Sequence, residues 1–281
     1  YDLSDRLYFE PLRFEEVMNI IDTESPDGVI LTLGGQTPLN LAGALAEAGV
    51  KILGTGVSAI DRAEDRDRCG VLLDELGIRY PKAGSAYDVD EALVTATDVG
   101  YPVMVRPSYV LGGRAMRVVY DDDGLRRYFE EARSASGKHP VLIDQFLEDA
   151  VEFDVDAVCD GRDVLIGGIL QHIEEAGIHS GDSFAVLPPY KTTPGDLALL
   201  RRHTERIARS LGVVGLINIQ FASQNGEIHV LEINPRASRT VPFLEKATGL
   251  DLARIATRCM LGISLADQEV QEASLVDRVF V

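Results

Sequence analysis

The chain predicts a mixed fold, α/β at its start and α+β beyond, and three observations carry that expectation. Up to about residue 63, short apolar runs alternate with amphipathic segments, the pattern of helices laid on a parallel sheet. After about residue 100 the apolar runs succeed one another in a way that requires partly antiparallel pairing. Residues 215–240, GLINIQFASQNGEIHVLEINPRASRT, set two apolar strand-like runs around Gln224-Asn225-Gly226, a hairpin signal.

In order along the chain, residues 14–23 are amphipathic at helical spacing, and 28–33 (GVILTL) make a short buried strand. A helix is expected over 37–48 and a strand over 50–53, which together give a small α/β unit over residues 1–63. Gly34-Gly35-Gln36-Thr37-Pro38 falls at the carboxyl end of a strand, where open α/β sheets bind ligands. It is neither GxGxxG nor a P-loop, and the opening turn of a helix explains it equally well. A helix over 65–76 leads into 78–81, and another spans 89–99. Strands at 101–106 and 114–120 flank a loop containing Gly112-Gly113. A helix at 124–135 precedes strands at 141–146, 152–159 and 163–174. A strongly patterned helix at 194–211, the hairpin and a helix near 250–261 follow. There is no internal repeat and no low-complexity linker.

A chain of 281 residues can bury a substantial core as one large or two medium domains. Its net charge of −18 argues against nucleic acid and anionic membranes as main partners, since both need a basic face. A phosphate-bearing small molecule stays possible, because local arginines and a divalent metal act within a Debye length. Cys69, Cys159 and Cys259 are odd in number and match no CxxC pattern, which predicts reduced thiols in a cytoplasmic protein. No apolar run approaches a membrane span, and the first residues are not a signal peptide. The missing initiator Met predicts a fragment of a longer chain.

The hairpin carries the chemistry. Asn218 and Gln220 interrupt its first strand, and Glu232 and Asn234 its second, each pair sharing a face. A two-residue turn at Asn225-Gly226 would set position 220 opposite 231, leaving Gln220 on the face away from Glu232. A three-residue turn with Gly226 left-handed would pair 220 with 230 and bring Gln220, Glu232 and Asn234 together. Convergence therefore predicts an odd-numbered turn. One carboxylate with two amide oxygens, followed by Arg236 and Arg239, is a hard-oxygen site for Mg²⁺ beside cations for phosphate oxygens. The ordinary alternative, a solvated hairpin face, fits poorly because the polar residues cluster at one end and run into Pro-Arg-x-x-Arg.

EINPRASRT, with NIQF upstream, resembles the metal-binding end of ATP-grasp enzymes, and more narrowly the large chains of carbamoyl phosphate synthetases. RPSYVLGGRAM (106–116) and QHIEEAGIHSGDS (171–183) are similar to the second of that family's two ATP-grasp halves. The resemblance covers residues 1 to about 265. It implies a pre-ATP-grasp domain at 1–63, an ATP-grasp domain at 64–265 and a C-terminal tail at 266–281. It implies nucleotide contacts from Arg66, Arg106, Gly112, Gly113, Gln145, Leu147 and Glu152, and from Gly177-Ile178-His179-Ser180. Gln145 and Leu147 would meet adenine and Glu152 the ribose hydroxyls. By position Glu152, Asp154 and Asp156 recur with period two, and a face turned to solvent is their ordinary alternative. Gln220, Glu232 and Asn234 would hold Mg²⁺ or Mn²⁺, with K⁺ as a further cation, while Arg239 and Arg236 serve catalysis. The implied reaction is phosphorylation of carbamate by ATP, as in arginine and pyrimidine biosynthesis. The first ATP-grasp half and a glutamine amidotransferase small chain would be partners. The competing expectations are another ATP-grasp carboxylate ligase and a nucleotide-binding module without turnover.

Overall fold

The computed structural model describes residues 4–107, 116–174, 183–273 and 278–281. The first unit holds α1 (Phe14–Glu24), α2 (Gln36–Leu39), α3 (Ala42–Glu47) and α4 (Val57–Glu64). The strands expected at 28–33 and 50–53 reduce to a single parallel bridge between Val29 and Ile52. Val29 N–H donates to Lys51 O at 2.9 Å and Leu53 N–H to Val29 O at 2.8 Å. The backbones approach so closely that a Cβ on Gly28 would lie 2.8 Å from Lys51 O. The helix expected over 37–48 is broken, because Leu41 N–H takes the i−3 carbonyl of Pro38 at 3.1 Å and interrupts the α ladder. Leu31, Leu39, Leu45 and Ile60 form this unit's core, with Phe14, Met18 and Ile21 of α1 packed on it.

α5 (Arg66–Glu75) opens on Asp65, whose carboxylate accepts Arg68 N–H at 2.9 Å. A four-stranded antiparallel sheet follows, built from β1 (Ala83–Ala86), β2 (Val103–Pro107), β3 (Arg117–Val119) and β4 (Val141–Gln145) in the order β1-β4-β2-β3. Its helices are α6 (Val89–Val99) and α7 (Asp122–Ser136). Residues alternate faces along a strand, so Val103, Val105, Val141 and Ile143 meet Ala96, Leu125 and Phe129 of the helices. Arg106 and Asp144 lie on the opposite face of the same sheet.

The second sheet has five antiparallel strands in the order β7-β6-β5-β8-β9. These are β5 (Val151–Asp160), β6 (Val164–His172), β7 (Ala185–Val186), β8 (Val214–Gln224) and β9 (Glu227–Asn234). On one face α8 (Pro194–Leu211) and α5 cover it, with Leu200, Ile207, Leu72 and Leu73 against Phe153, Val155, Ile217 and Ile219. On the other, α9 (Val241–Thr248) and α10 (Leu252–Met260) bring Leu244, Leu252 and Ile255 against Leu170 and Leu216. Covering on both faces accounts for the nearly continuous burial of β5 and β8. The tail makes a short 3₁₀ turn at Ala266–Gln268 and an antiparallel bridge from Phe280 to Leu187. β9 is an edge strand, and Val230 N–H donates outward to Arg79 O at 2.8 Å while Arg79 pairs with Glu227.

Among the described residues no helix is long and apolar enough to cross a membrane.

Candidate functional site

The hairpin turn has two residues, which corrects the odd-numbered turn expected from the sequence. Gln224 pairs with Glu227, and Asn225 (φ 53°) and Gly226 (φ 81°) are both left-handed, as a type I′ turn requires. Regular pairing continues to Phe221–Val230, and there the register shifts, so that Gln220 faces Glu232 and Asn218 faces Asn234. Leu231 is the extra residue of a β-bulge. The bulge restores the parity that the turn takes away, and the ligand-type residues converge as expected by a different route.

Beyond this pair, β5 places Asp154 across from Gln220 and Asp156 across from Asn218. One sheet face therefore carries Asp154, Asp156, Asn218, Gln220, Glu232 and Asn234 together. Asp154 and Asp156 are buried, so the solvated-face alternative does not hold for them. Asp154 accepts from His172 Nε2 at 2.8 Å and from Asn218 Nδ2 at 3.3 Å. Asp156 accepts from Asn218 Nδ2 at 3.1 Å, from Ser238 Oγ at 2.6 Å and from Thr240 Oγ1. Burial is the main influence on Asp156 and pushes its carboxyl up to about 6, against the lowering effect of those donors. For His172, burial favours the neutral ring, but hydrogen bonds and charge from Asp154 and Glu152 outweigh it and raise the imidazole to about 9.

Two cavities meet at the hairpin. The smaller, 820 Å³, is lined by Gly34, Gly35, Gln220, Ser238, Arg239 and Phe243 among others. The larger, 1470 Å³, has walls from both sheets, with Arg66, Arg106, Asp144 and Gln145 facing His229 and Leu231. Gln36, Glu232 and Asn234 line both. Glu232 is exposed and has no ion-pair partner among the described residues, and neither has Arg239. Arg236 is held firmly: its Nη2 donates to Asn234 Oδ1 at 3.1 Å and its Nε to Gln36 Oε1 at 3.1 Å. Gln36 Nε2 in turn donates to Glu64 at 2.8 Å, so the Gly-Gly-Gln segment of the first unit reaches into the site.

Arg66 and Arg106 converge on one carboxylate. Arg66 Nη2 pairs with Asp144 Oδ1, and Arg106 Nε lies 2.5 Å from Asp144 Oδ2. Gln145 accepts Lys82 N–H on its side chain at 3.2 Å and lines the larger cavity. Leu147 is buried with Ala150 and Ala222, and among the described linings it reaches neither cavity. Glu152 also stands off both, 3.4 Å from His172 Nδ1. Gly112, Gly113, Gly177, Ile178, His179 and Ser180 lie outside the described residues.

Sequence reasoning left Gln36, Asp144, Asn218 and the buried Asp154 and Asp156 outside the site. The signal for Asp156 was present in its period-two spacing, but only the β5–β8 register shows that it faces Asn218. Gln36 carried only the weak signal of lying after a strand end, and nothing in the sequence links it to its partner Arg236, 200 residues away.

The cleft sets Arg66 of α5 and Arg106 of β2 across from the oxygen donors of β8 and β9, beside a small α/β unit, and two family models make the chain an ATP-grasp protein. The family model for the "carbamoyl-phosphate synthase L chain, ATP binding domain" matches residues 65–268, and that for the "carbamoyl phosphate synthase preATP-grasp domain" matches 1–62. The large chain of carbamoyl phosphate synthase from Neisseria meningitidis serogroup B is 56% identical over 277 residues, covering 99% of this chain and 26% of that protein. The C-terminal section of the large chain from Aquifex aeolicus is 56% identical over 267 residues, covering 95% of this chain and 50% of that one. Two solved structures share the fold. Biotin carboxylase from Campylobacter jejuni, in complex with β,γ-ATP, has a TM-score of 0.76 at 17% identity, covering 93% of this chain and 60% of that one. The biotin carboxylase domain of Hydrogenobacter thermophilus 2-oxoglutarate carboxylase, crystallised with MgADP, ADP and bicarbonate, scores 0.75 at 20% identity, covering 95% and 60%. The chain belongs to the carbamoyl phosphate synthase large chain family and spans about a quarter of the length of most of the relatives named for it, 26% of the Neisseria protein.

Proposed function

We propose that this chain carries out the ATP-dependent phosphorylation of carbamate to carbamoyl phosphate, as the second synthetase half of a glutamine-dependent enzyme. The observation that carries the reading is the position of Glu232 and Asn234 where the two cavities meet, with Gln220 across from Glu232 on the wall of the smaller one. The larger cavity would take ATP, with Arg66 and Arg106 at the phosphates and Gln145 near the base. The smaller would take the acceptor, with Arg239 beside it.

The donor set suits a hard divalent cation: one carboxylate without an ion-pair partner among the described residues, flanked by amide oxygens. Bound there, Mg²⁺ or Mn²⁺ would neutralise charge on the β- and γ-phosphate oxygens. The chain's own residues do the rest. Arg66 and Arg106 orient the phosphates, and Arg236, braced by Asn234 and Gln36, keeps a cation on the wall of the smaller cavity. Arg239 offers an uncommitted guanidinium to the equatorial oxygens of the transferred group, where charge gathers in the transition state. Loop residues Gly112, Gly113 and Gly177-Ile178-His179-Ser180, with Leu147 and Glu152, complete the nucleotide site in this reading.

The same proposal divides the chain into residues 1–63, 64–265 and 266–281, and takes the first ATP-grasp half and an amidotransferase small chain as partners. The described free thiols suit a reducing cytoplasm. The deciding experiment uses the full enzyme containing this chain. It should make ATP from ADP and carbamoyl phosphate, and no ATP when acetyl phosphate or another acyl phosphate is substituted. Equal turnover with several acyl phosphates would favour a broader carboxylate ligase.

A further inference from the structure

The loop that carries Arg239 is fastened from beneath at both neighbours. Asp156, wholly buried on β5, accepts from Ser238 Oγ at 2.6 Å and from Thr240 Oγ1, the residues immediately before and after Arg239. The same carboxylate accepts Asn218 Nδ2 at 3.1 Å, and Thr240 N–H folds back onto Ser238 Oγ at 3.2 Å. Earlier in the loop, Ala237 N–H donates to Thr32 O at 2.8 Å. Arg239 itself lines the smaller cavity and has no ion pair among the described residues, and the fastened backbone of its loop fixes the point from which its side chain projects.

We propose that Asp156 is a positioning residue for phosphoryl transfer: one buried carboxylate holds Ser238, Thr240 and Asn218 and thereby fixes where Arg239 projects into the smaller cavity. The role assigned to Arg239 rests on the functional reading above, whereas the clamp itself is a feature of the fold. Burying a carboxylate is costly, and a site that serves only packing would be filled more cheaply by an apolar side chain. Here one carboxylate gathers two hydroxyls and an amide, and the two hydroxyls also bond each other at 2.6 Å. Burial raises the Asp156 carboxyl to about 6, and the bonds from Ser238, Thr240 and Asn218 work against that rise by favouring the charged form.

The test uses the full enzyme and the variants Asp156→Asn, Thr240→Val and Thr240→Ser. The first two should lower kcat for ATP formation from ADP and carbamoyl phosphate by about thirtyfold or more, since a displacement on the order of 1 Å can cost a hundredfold. KM for ADP should stay within about twofold, and Thr240→Ser should restore most of the loss. Amide hydrogen exchange over residues 236–240 should quicken about tenfold in the first two variants, with α8 unchanged. Three results overturn the clamp: kcat within twofold of the parent, unchanged exchange over 236–240, or exchange that rises equally in α8. A parent enzyme that makes no ATP would instead refute the functional reading, and the exchange comparison would still decide the clamp.

Discussion

Gln220 stands directly across from Glu232, although the hairpin's own turn would set it opposite Leu231. One bulged residue between turn and site moves the register by a single position, and a single position changes which face a side chain occupies. The bulge thus separates two requirements. The turn keeps the compact Asn-Gly geometry, and the ends carrying Gln220 and Glu232 meet on the face that carries Asp154 and Asn218.

Glu232 should set the metal dependence of nucleotide binding. In the full enzyme, adding Mg²⁺ should tighten ATP binding at least about tenfold, the order expected for a charged contact worth ~1.5–3 kcal/mol. Glu232→Ala should respond less than about threefold. Titration calorimetry with and without metal measures both, and an undiminished metal response in the variant would remove Glu232 from the site.

Arg239→Ala should impair synthesis far more than binding. Removing a preorganised charge at the transferring group costs about 3–4 kcal/mol, on the order of a hundredfold or more in kcat, with KM for ATP within about threefold. Arg254 is the control: it pairs with Asp251 at 3.1 Å on the surface, where such a bond is worth at most about 1 kcal/mol. ADP release and carbamoyl phosphate yield should be followed separately. Equal losses in the two variants would make Arg239 structural.

Gln36→Leu should act through Arg236. Its side-chain oxygen accepts Arg236 Nε and its amide group donates to Glu64, both at an exposed position. Stability should therefore change by less than about 1 kcal/mol, because exposed hydrogen bonds contribute little net. Turnover should fall about tenfold as Arg236 loses its orientation. A variant with parental kcat and KM would show that the first unit merely touches the site.

His172 should make stability fall with rising pH. Its folded imidazole is raised to about 9, against an ordinary 6.5, so the folded state holds the extra proton between those values. The stabilisation is complete below about pH 6.5 and is lost as pH climbs through 9. Urea unfolding should show a decline of about 1–3 kcal/mol over that window, flattened in His172→Gln. Parallel profiles for parent and variant would contradict the pairing with Asp154 and Glu152.

Legibility in the sequence followed the range of the forces involved. The helix at Pro194–Leu211 was visible because its signals are local: Thr193 and Asp196 form a capping box, Pro194 opens the first turn and Gly212 closes the last. The β8–β9 hairpin was visible for the same reason, but its register was not. No residue near Leu231 announces a bulge, and the parity of the turn alone gave the wrong pairing. The strands at 28–33 and 50–53 were over-read, since apolar runs there pack as a core with only one bridge between them. α9 was missed because Pro242 and the short span of Val241–Thr248 leave little periodicity to detect. Residues such as Asp144, which draws Arg66 and Arg106 together, enter the site only through sheet pairing and long-range contact.

The outer edge of β9 has a consequence for the protein's behaviour at high concentration. A site that needs Glu232 and Asn234 on an edge strand risks offering that edge to other chains, and such edges nucleate aggregation. Here the backbone of Arg79 takes the hydrogen bond of Val230, its guanidinium holds Glu227, and the bulge at Leu231 spoils the flat repeat that another strand would need. The end carrying Glu232 and Asn234 lines both cavities, while the Arg79 contacts and the bulge make the edge a poor template for a second polypeptide. Reversing the charge of Arg79 should therefore be felt first as a loss of solubility on warming.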